Sequence, residues 1–282
     1  MKICSMVVLY ESKEKEIANI LCYYDYVDKV YILDNSTKSN ESVVDGILSK
    51  KYGQIEKKVE YIHFQKNIGL CKALNKGMKI AAEEGFKWAL VMDADSTLKT
   101  NVVDVYKEFI KRNSCSNVGI LAPVHLFDRN MKHQFEGERN VSWAMTSGCF
   151  FNIEVFMKLQ GFKEELFVDG LDIDYCYKLG RNGYRVVELS NAQINHFPGE
   201  TKSINFLGKK LKYGIASPWR YYMQARAIVW LMLEYRSVKE FIRYGMKWGK
   251  VICLFPNKRE YIKQMIRGTK AGVNLWRDAN SN

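Results

Sequence analysis

The chain has little that would suit it to an oxidising compartment or to crossing a membrane. Its seven cysteines (4, 22, 71, 115, 149, 176 and 253) are odd in number, scattered and never spaced as C-x-x-C. That excludes a disulfide framework and a cysteine-based zinc site, and it fits a reducing cytoplasm. The longest purely apolar run, Ala227 to Leu233, falls far short of the roughly 20 residues that span a bilayer. The opening MKICSMVVLY carries one lysine and a short apolar run without a small-residue cleavage pattern, so no signal peptide is expected. Internal repeats and low-complexity stretches are also missing.

What is present is an ordinary globular composition with an unusual distribution of charge. With 282 residues, 47% of them hydrophobic and 26% charged, the chain can build one large α/β domain plus an appendage. Residues 201–282 hold 17 Lys+Arg against 4 Asp+Glu, a net +13, and the preceding residues net −1. A basic tail behind a neutral body points to an anionic partner or to a solvated helical face.

The first 125 residues alternate β-rich runs with helical periodicity, as a parallel α/β sheet requires. Strands are expected at Ile3 to Leu9, Lys29 to Leu33, Val59 to Phe64, Trp88 to Met92 and Val118 to Ala122. Leu70, Ala73, Leu74, Gly77, Met78 and Ala81 recur at helical spacing before Gly85. His125 to Arg139 reads as a polar loop or short hairpin, Val141 to Phe151 as a strand, Glu154 to Leu159 and Asp172 to Asn182 as helices, and Tyr184 to Leu189 as a late strand. From about Ile204 the pattern is helical, with Trp219, Arg220, Tyr221, Tyr222, Arg226 and Trp230 interleaved. The expected domains are 1–200 and a basic, aromatic-rich extension at 201–282.

WALVMDADS puts Asp93 and Asp95 just past an apolar strand, where open α/β sheets bind ligands. Two carboxylates one residue apart suit a hard divalent cation such as Mg²⁺ or Mn²⁺, whose charge would offset that of a departing diphosphate. Exposed carboxylates capping the next helix would read the same way. DADST also matches the D-x-D-x-T nucleophile loop of haloacid-dehalogenase-like phosphatases, but that loop normally follows the first strand, and no downstream Gly-Asp-x-x-x-Asp is found.

Five motifs occur in order: ILDNS at 32–36, NIGLCKALNKG at 67–77, MDADS at 92–96, TSGCFF at 146–151 and GFKEELFVDGLDIDYCYKLGRNGYRV at 161–186. Together they resemble the family-2 glycosyltransferases of the GT-A fold, in particular the rhamnosyltransferase-like branch, over about residues 3–226. The resemblance implies an α/β, Rossmann-like mixed sheet flanked by helices, with the basic helical extension appended. It implies an inverting transfer of a sugar from a dTDP- or UDP-linked donor to a saccharide acceptor. Asp34 would bond the pyrimidine ring, with main-chain contacts near Tyr10. Asn67, Gly69 and Asn75 stand in the family positions of a donor-binding turn and helix, with Lys72 facing the pocket. Asp93 and Asp95 would hold the metal, with His196 of INHFPGE as a further ligand.

The resemblance assigns the base to Asp172, within the cluster Asp169, Asp172 and Asp174. The family commonly writes Glu-Asp here, and Leu171 occupies the Glu position. Inversion requires a base on the face opposite the leaving diphosphate, to take the acceptor hydroxyl's proton. N-capping is the plain alternative for Asp172. Of the other histidines, His63 reads as structural, and His125 and His133 fall in the central loop. Family members that build surface polysaccharides use lipid-linked acceptors, so the basic tail is expected to meet the anionic inner face of the cell membrane. Nucleic acid ranks below this, because no fold signature for it is present. A homo-oligomer through Tyr221, Tyr222 and Trp230 is a further expectation.

Overall fold

The computed structural model describes residues 1–53, 58–127, 135–196, 199–206 and 209–281, apart from the side chains of 206–211. His133 lies outside the described residues. The strands are β1 (Ile3–Leu9), β2 (Lys29–Asp34), β3 (Val59–His63), β4 (Trp88–Asp93), β5 (Thr97–Leu98), β6 (Val118–Leu126), β7 (Glu138–Val141), β8 (Cys149–Asn152), β9 (Arg185–Asn195), β10 (Glu200–Phe206) and β11 (Lys209–Ile215). The helices are α1 (Glu14–Ile17), α2 (Glu41–Tyr52), α3 (Leu70–Glu83), α4 (Val102–Arg112), α5 (Ile153–Lys158), α6 (Leu171–Arg181), α7 (Pro218–Tyr235), α8 (Val238–Leu254) and α9 (Lys258–Asn280).

The chain divides into two compact units, one of residues 1–162 and 175–198, the other of 163–174 and 199–282. In the first, the described strands form a mixed sheet ordered β3-β2-β1-β4-β8-β6-β9-β5, with β7 on β9. β3, β2, β1 and β4 run parallel. In β1, β2 and β4 near-continuous apolar sequences go with burial on both faces: in β1, all but Val8 are buried, whereas the edge strand β3 is half-buried throughout. Antiparallel β8 separates β4 from β6. Helix α3 lies so close to the sheet that a Cβ on Gly77 would sit 2.8 Å from Leu33 Cδ1. Phe151, Phe156, Phe162 and Tyr175 form a second packing centre, with ring centroids 5.0 to 6.0 Å apart.

The second unit joins the β10–β11 hairpin to three helices. Helix structure expected from about Ile204 therefore starts only at Pro218, because residues 200–215 pair as antiparallel strands from Glu200↔Ile215 inward. The expected strand at 141–151 is likewise split into β7 and β8. Helices α7 and α9 touch backbone to backbone: a Cβ on Gly268 would lie 2.3 Å from Tyr222 O, and one on Gly272 would lie 2.5 Å from Arg226 O. Tyr221 and Trp230 are buried, Tyr221 in the core of this unit, so two of the three rings read as an oligomer surface are not on the surface. Tyr221 packs edge-on against Phe255 and Tyr261.

Helix α8 turns Tyr244, Trp248, Val251 and Leu254 onto the core of this unit, and charged residues share that inward side. Its inward stripe holds Glu240, Arg243 and Lys247, with Glu240 wholly buried and ion-paired to Arg243 at 2.9 Å. Its outward stripe leaves Val238 71%, Phe241 63%, Ile242 54%, Met246 65% and Ile252 49% exposed. Among the described residues, no helix is long and apolar enough to cross a membrane.

Candidate active site

Three elements bring the acidic pair to a histidine. Asp93 ends β4, the chain turns through Asp95 and Ser96, and the short β5 pairs with β9 in the register Thr97↔Asn195. That register sets Ser96 beside His196, whose Nδ1 lies 2.8 Å from Ser96 Oγ. The same nitrogen is 3.9 Å from Asp93 Oδ2 and 3.8 Å from Asp95 Oδ1. One ligand atom from each of Asp93, Asp95 and His196 falls within 4.8 Å of the other two. Two carboxylates and an imidazole are the donor set that Mg²⁺ or Mn²⁺ accepts. Ser96 decides which nitrogen is available. As donor to Nδ1, its hydroxyl occupies the nitrogen nearest the carboxylates; as acceptor from Nδ1–H, it leaves Nε2 with the lone pair.

Ser147 of the TSGCFF run locks this turn. Its Oγ accepts from Asp93 N–H at 3.0 Å and donates to Ser96 Oγ at 2.9 Å. His125 is not in a loop: it lies buried in β6, its Nε2 2.8 Å from the Ser147 carbonyl and its ring centroid 5.8 Å from that of His196. Burial lowers the His125 pKa to about 4, so the ring is neutral and donates through Nε2. Gly148 sits at φ +74, and a Cβ there would meet Pro123 and Ile194 within 3.0 Å. A side chain at that position would therefore disturb the turn that aims Ser147.

Around the first strands, Asp34 is fully buried. Its carboxylate accepts from Ser36 N–H at 2.8 Å, from Asn40 N–H and Nδ2–H at 3.0 Å each, and from the Tyr61 hydroxyl. Burial alone would raise its pKa, but these bonds, led by Tyr61 and Ser36, hold it below the usual carboxylate range. A base could reach this carboxylate only by displacing Tyr61 or Asn40. Tyr10 stands 57% exposed beyond β1. Asn67 Oδ1 accepts from Gly69 N–H at 2.9 Å, and Gly69, at φ 89 and ψ 154, occupies backbone space that only glycine enters freely. Lys72 is exposed on the first turn of α3. Asn75 commits both ends of its amide to Phe162, donating to its carbonyl at 2.8 Å and accepting from its N–H at 2.9 Å.

In the second unit, Asp172 opens α6 after Gly170, which sits at φ +80. Its Oδ1 accepts from Ile173 N–H at 2.9 Å. Among the described residues, no side chain donates to it, so the carboxylate is chemically available. Burial first, then the charge of Asp169, raises its pKa from 3.8 to about 6, which suits a group that must gain a proton near neutrality. Its neighbours are committed. Asp169 accepts from Arg220 Nη2 at 2.9 Å, and buried Asp174 accepts from the Tyr235 hydroxyl at 2.7 Å. Sequence reasoning missed Ser96, Ser147 and Tyr61, because each acts through a partner distant in the chain, and Asn40, because only the turn after β2 folds it back onto Asp34.

Comparisons with known proteins agree with this architecture. The chain is 26% identical to the dTDP-rhamnosyl transferase RfbF of Shigella flexneri, over 96% of this chain and 95% of that protein. Among solved structures, S. aureus TarS 1-349 matches with a TM-score of 0.58 at 16% identity, over 98% of this chain and 83% of that one. GalNAc-T7, solved with UDP, GalNAc and Mn²⁺, matches with a TM-score of 0.58 at 12% identity over 82% of this chain, which spans about half (47%) of that protein's length. These structural likenesses establish the GT-A fold. Residues 13–161 match the model of glycosyl transferase family 2, so the dehalogenase-like phosphatase reading falls away and the chain belongs to that family of glycosyltransferases.

Proposed function

We propose that this chain is an inverting glycosyltransferase that moves a sugar, rhamnose by preference, from a dTDP- or UDP-linked donor to a saccharide acceptor in surface polysaccharide synthesis. The observation that carries this reading is the convergence of Asp93, Asp95 and His196 at the carboxyl end of β4, in a chain of this family whose RfbF relative is named for dTDP-rhamnosyl transfer. A divalent cation held there supplies positive charge to the donor diphosphate. Asp95, the more exposed carboxylate, is the direct ligand; Asp93, tied through its backbone to Ser147, faces the cation or the donor ribose. Tyr10, the Asp34 loop, Asn67, Gly69 and Lys72 form the nucleotide side of the pocket, and Asn75 holds the Gly161–Phe162 turn. Asp172 takes the proton of the attacking hydroxyl.

Where the enzyme works belongs to the same proposal. The outward stripe of α8, set in a segment of net +13, supports docking on an anionic bilayer at the cytoplasmic face, where a lipid-linked acceptor is reached. Screening dTDP- and UDP-sugars for cation-dependent nucleotide release tests the donor assignment. Release unaffected by chelator from every donor would reject it.

A further inference from the structure

The inward face of α8 carries two half-buried cations, Arg243 and Lys247, which a helix seldom turns inward without a reason. Arg243 and Lys247 sit one helical turn apart on that stripe. Across from them, α7 presents Arg220 and Gln224, also one turn apart. Lys247 Nζ donates to Gln224 Oε1 and lies 4.7 Å from the Tyr221 ring centroid. Among the described residues, no carboxylate comes within ion-pair distance of it. Its closest polar partner is thus a neutral amide, while the nearby carboxylates pair with the two arginines, Asp169 through Oδ1 with Arg220 and Glu240 through Oε2 with Arg243, each at 2.9 Å. Burial, and then repulsion from Lys250, lowers the Lys247 pKa to about 8 against the attraction of Asp169. An anion brought from outside would relieve what Asp169 leaves uncompensated.

We infer that Arg220, Arg243 and Lys247 form an oxyanion subsite that takes a phosphate or diphosphate group carried by the acceptor. Two guanidinium forks and an ammonium match a multiply charged, multidentate anion better than a single carboxylate. Arg243 also acts electrostatically on Asp172, so an anion held here tethers the acceptor within the unit that contains the base. The inference rests on the reading of Asp172 as base only for what the tether serves; the binding site stands on the cation cluster itself.

The test uses the full chain in EDTA, without donor. Inorganic pyrophosphate and farnesyl diphosphate are titrated calorimetrically into the wild type, Lys247→Met, Lys247→Arg and Asp95→Asn. Losing one charge-assisted contact should weaken both ligands about tenfold or more in Lys247→Met. Lys247→Arg should stay within about threefold, and Asp95→Asn should match the wild type. In the wild type, pyrophosphate should also slow acylation of Lys247, read by mass spectrometry, which decides the matter even if Lys247→Met does not fold. Unchanged affinity in a folded Lys247→Met, or acylation of Lys247 indifferent to pyrophosphate, overturns the subsite. Phosphatidylglycerol vesicles separate the two sources of phosphate. Their binding should survive Lys247→Met, and its loss together with unaltered farnesyl diphosphate affinity would make this a headgroup contact and overturn the acceptor assignment. If Asp172→Asn kept full transfer, the base assignment would fall while these binding results stood.

Discussion

Replacing Asp172 with asparagine should make the protein more stable as it makes it inactive. The carboxyl's pKa is raised from 3.8 to about 6, so between those values the folded chain binds the proton more tightly than the unfolded chain. Stability from this group is therefore full at low pH, declines as pH rises from about 4 to 6, and stays lost above that. Complete expression of the shift corresponds to about 3 kcal/mol at pH 8. Asp172 keeps some accessible surface, so water relaxes part of the penalty and about 1–3 kcal/mol is expected. Asparagine imitates the neutral acid, so Asp172→Asn should gain that amount over the wild type at pH 8 and almost nothing at pH 4. Urea unfolding of both proteins at the two pH values gives the comparison, with the pH dependence common to both cancelling. The same group, acting as base, should give kcat/KM an acid limb near pH 6, with activity at pH 5 roughly one-tenth of the plateau. A stability difference that did not grow between pH 4 and pH 8 would refute the burial argument.

Further outcomes follow from other parts of the structure. Gly272→Ala should destabilise by about 1–3 kcal/mol, because its Cβ would meet the Arg226 carbonyl at 2.5 Å, whereas Gly245→Ala, with nothing within 4 Å, should stabilise by up to about 1 kcal/mol; chemical denaturation distinguishes the two. Tyr61→Phe removes a donor to the buried Asp34 carboxylate and should cost about 1.5–3 kcal/mol at pH 7. That loss should shrink as acid protonates Asp34, since a carboxylate whose pKa is depressed stabilises only above it. Met246→Glu on the outward stripe of α8 should abolish sedimentation with anionic vesicles while leaving the unfolding midpoint unchanged. Ser147→Ala should weaken cation binding by freeing the turn at Asp93, with Mn²⁺ titration as the readout.

The sheet and the acidic pair were legible because their signals are local. Apolar runs such as WALVM announce a strand buried on both faces, and carboxylates just beyond it fall where ligands bind. Residues whose meaning depends on register were not legible. Ser96 meets His196 only because β5 and β9 pair across about 100 residues, and His125 enters the site only because β6 continues past Pro123. Asp34 illustrates a different limit: its motif marked a ligand contact, but the sequence could not show that Ser36, Asn40 and Tyr61 already fill the carboxylate. In the tail, the charge count was right while the geometry was not. Periodicity reveals that α8 is amphipathic but does not reveal which face is turned inward, and the hairpin at 200–215 was hidden beneath the basic composition.

The central claim is that Asp93, Asp95 and His196 hold a divalent cation for a nucleotide-sugar donor while Asp172 takes the acceptor's proton. Nucleotide diphosphate release from dTDP-rhamnose and UDP-sugars, measured in the presence of acceptor, tests it most directly across wild type, Asp95→Asn and Asp172→Asn. The account predicts release by the wild type that is abolished by EDTA and restored by Mn²⁺ or Mg²⁺. Asp95→Asn should be inactive at any cation concentration that the wild type tolerates. Asp172→Asn should bind donor normally yet turn over about 10²- to 10⁴-fold more slowly. Undiminished turnover in Asp172→Asn, or full wild-type activity in excess chelator, would contradict it.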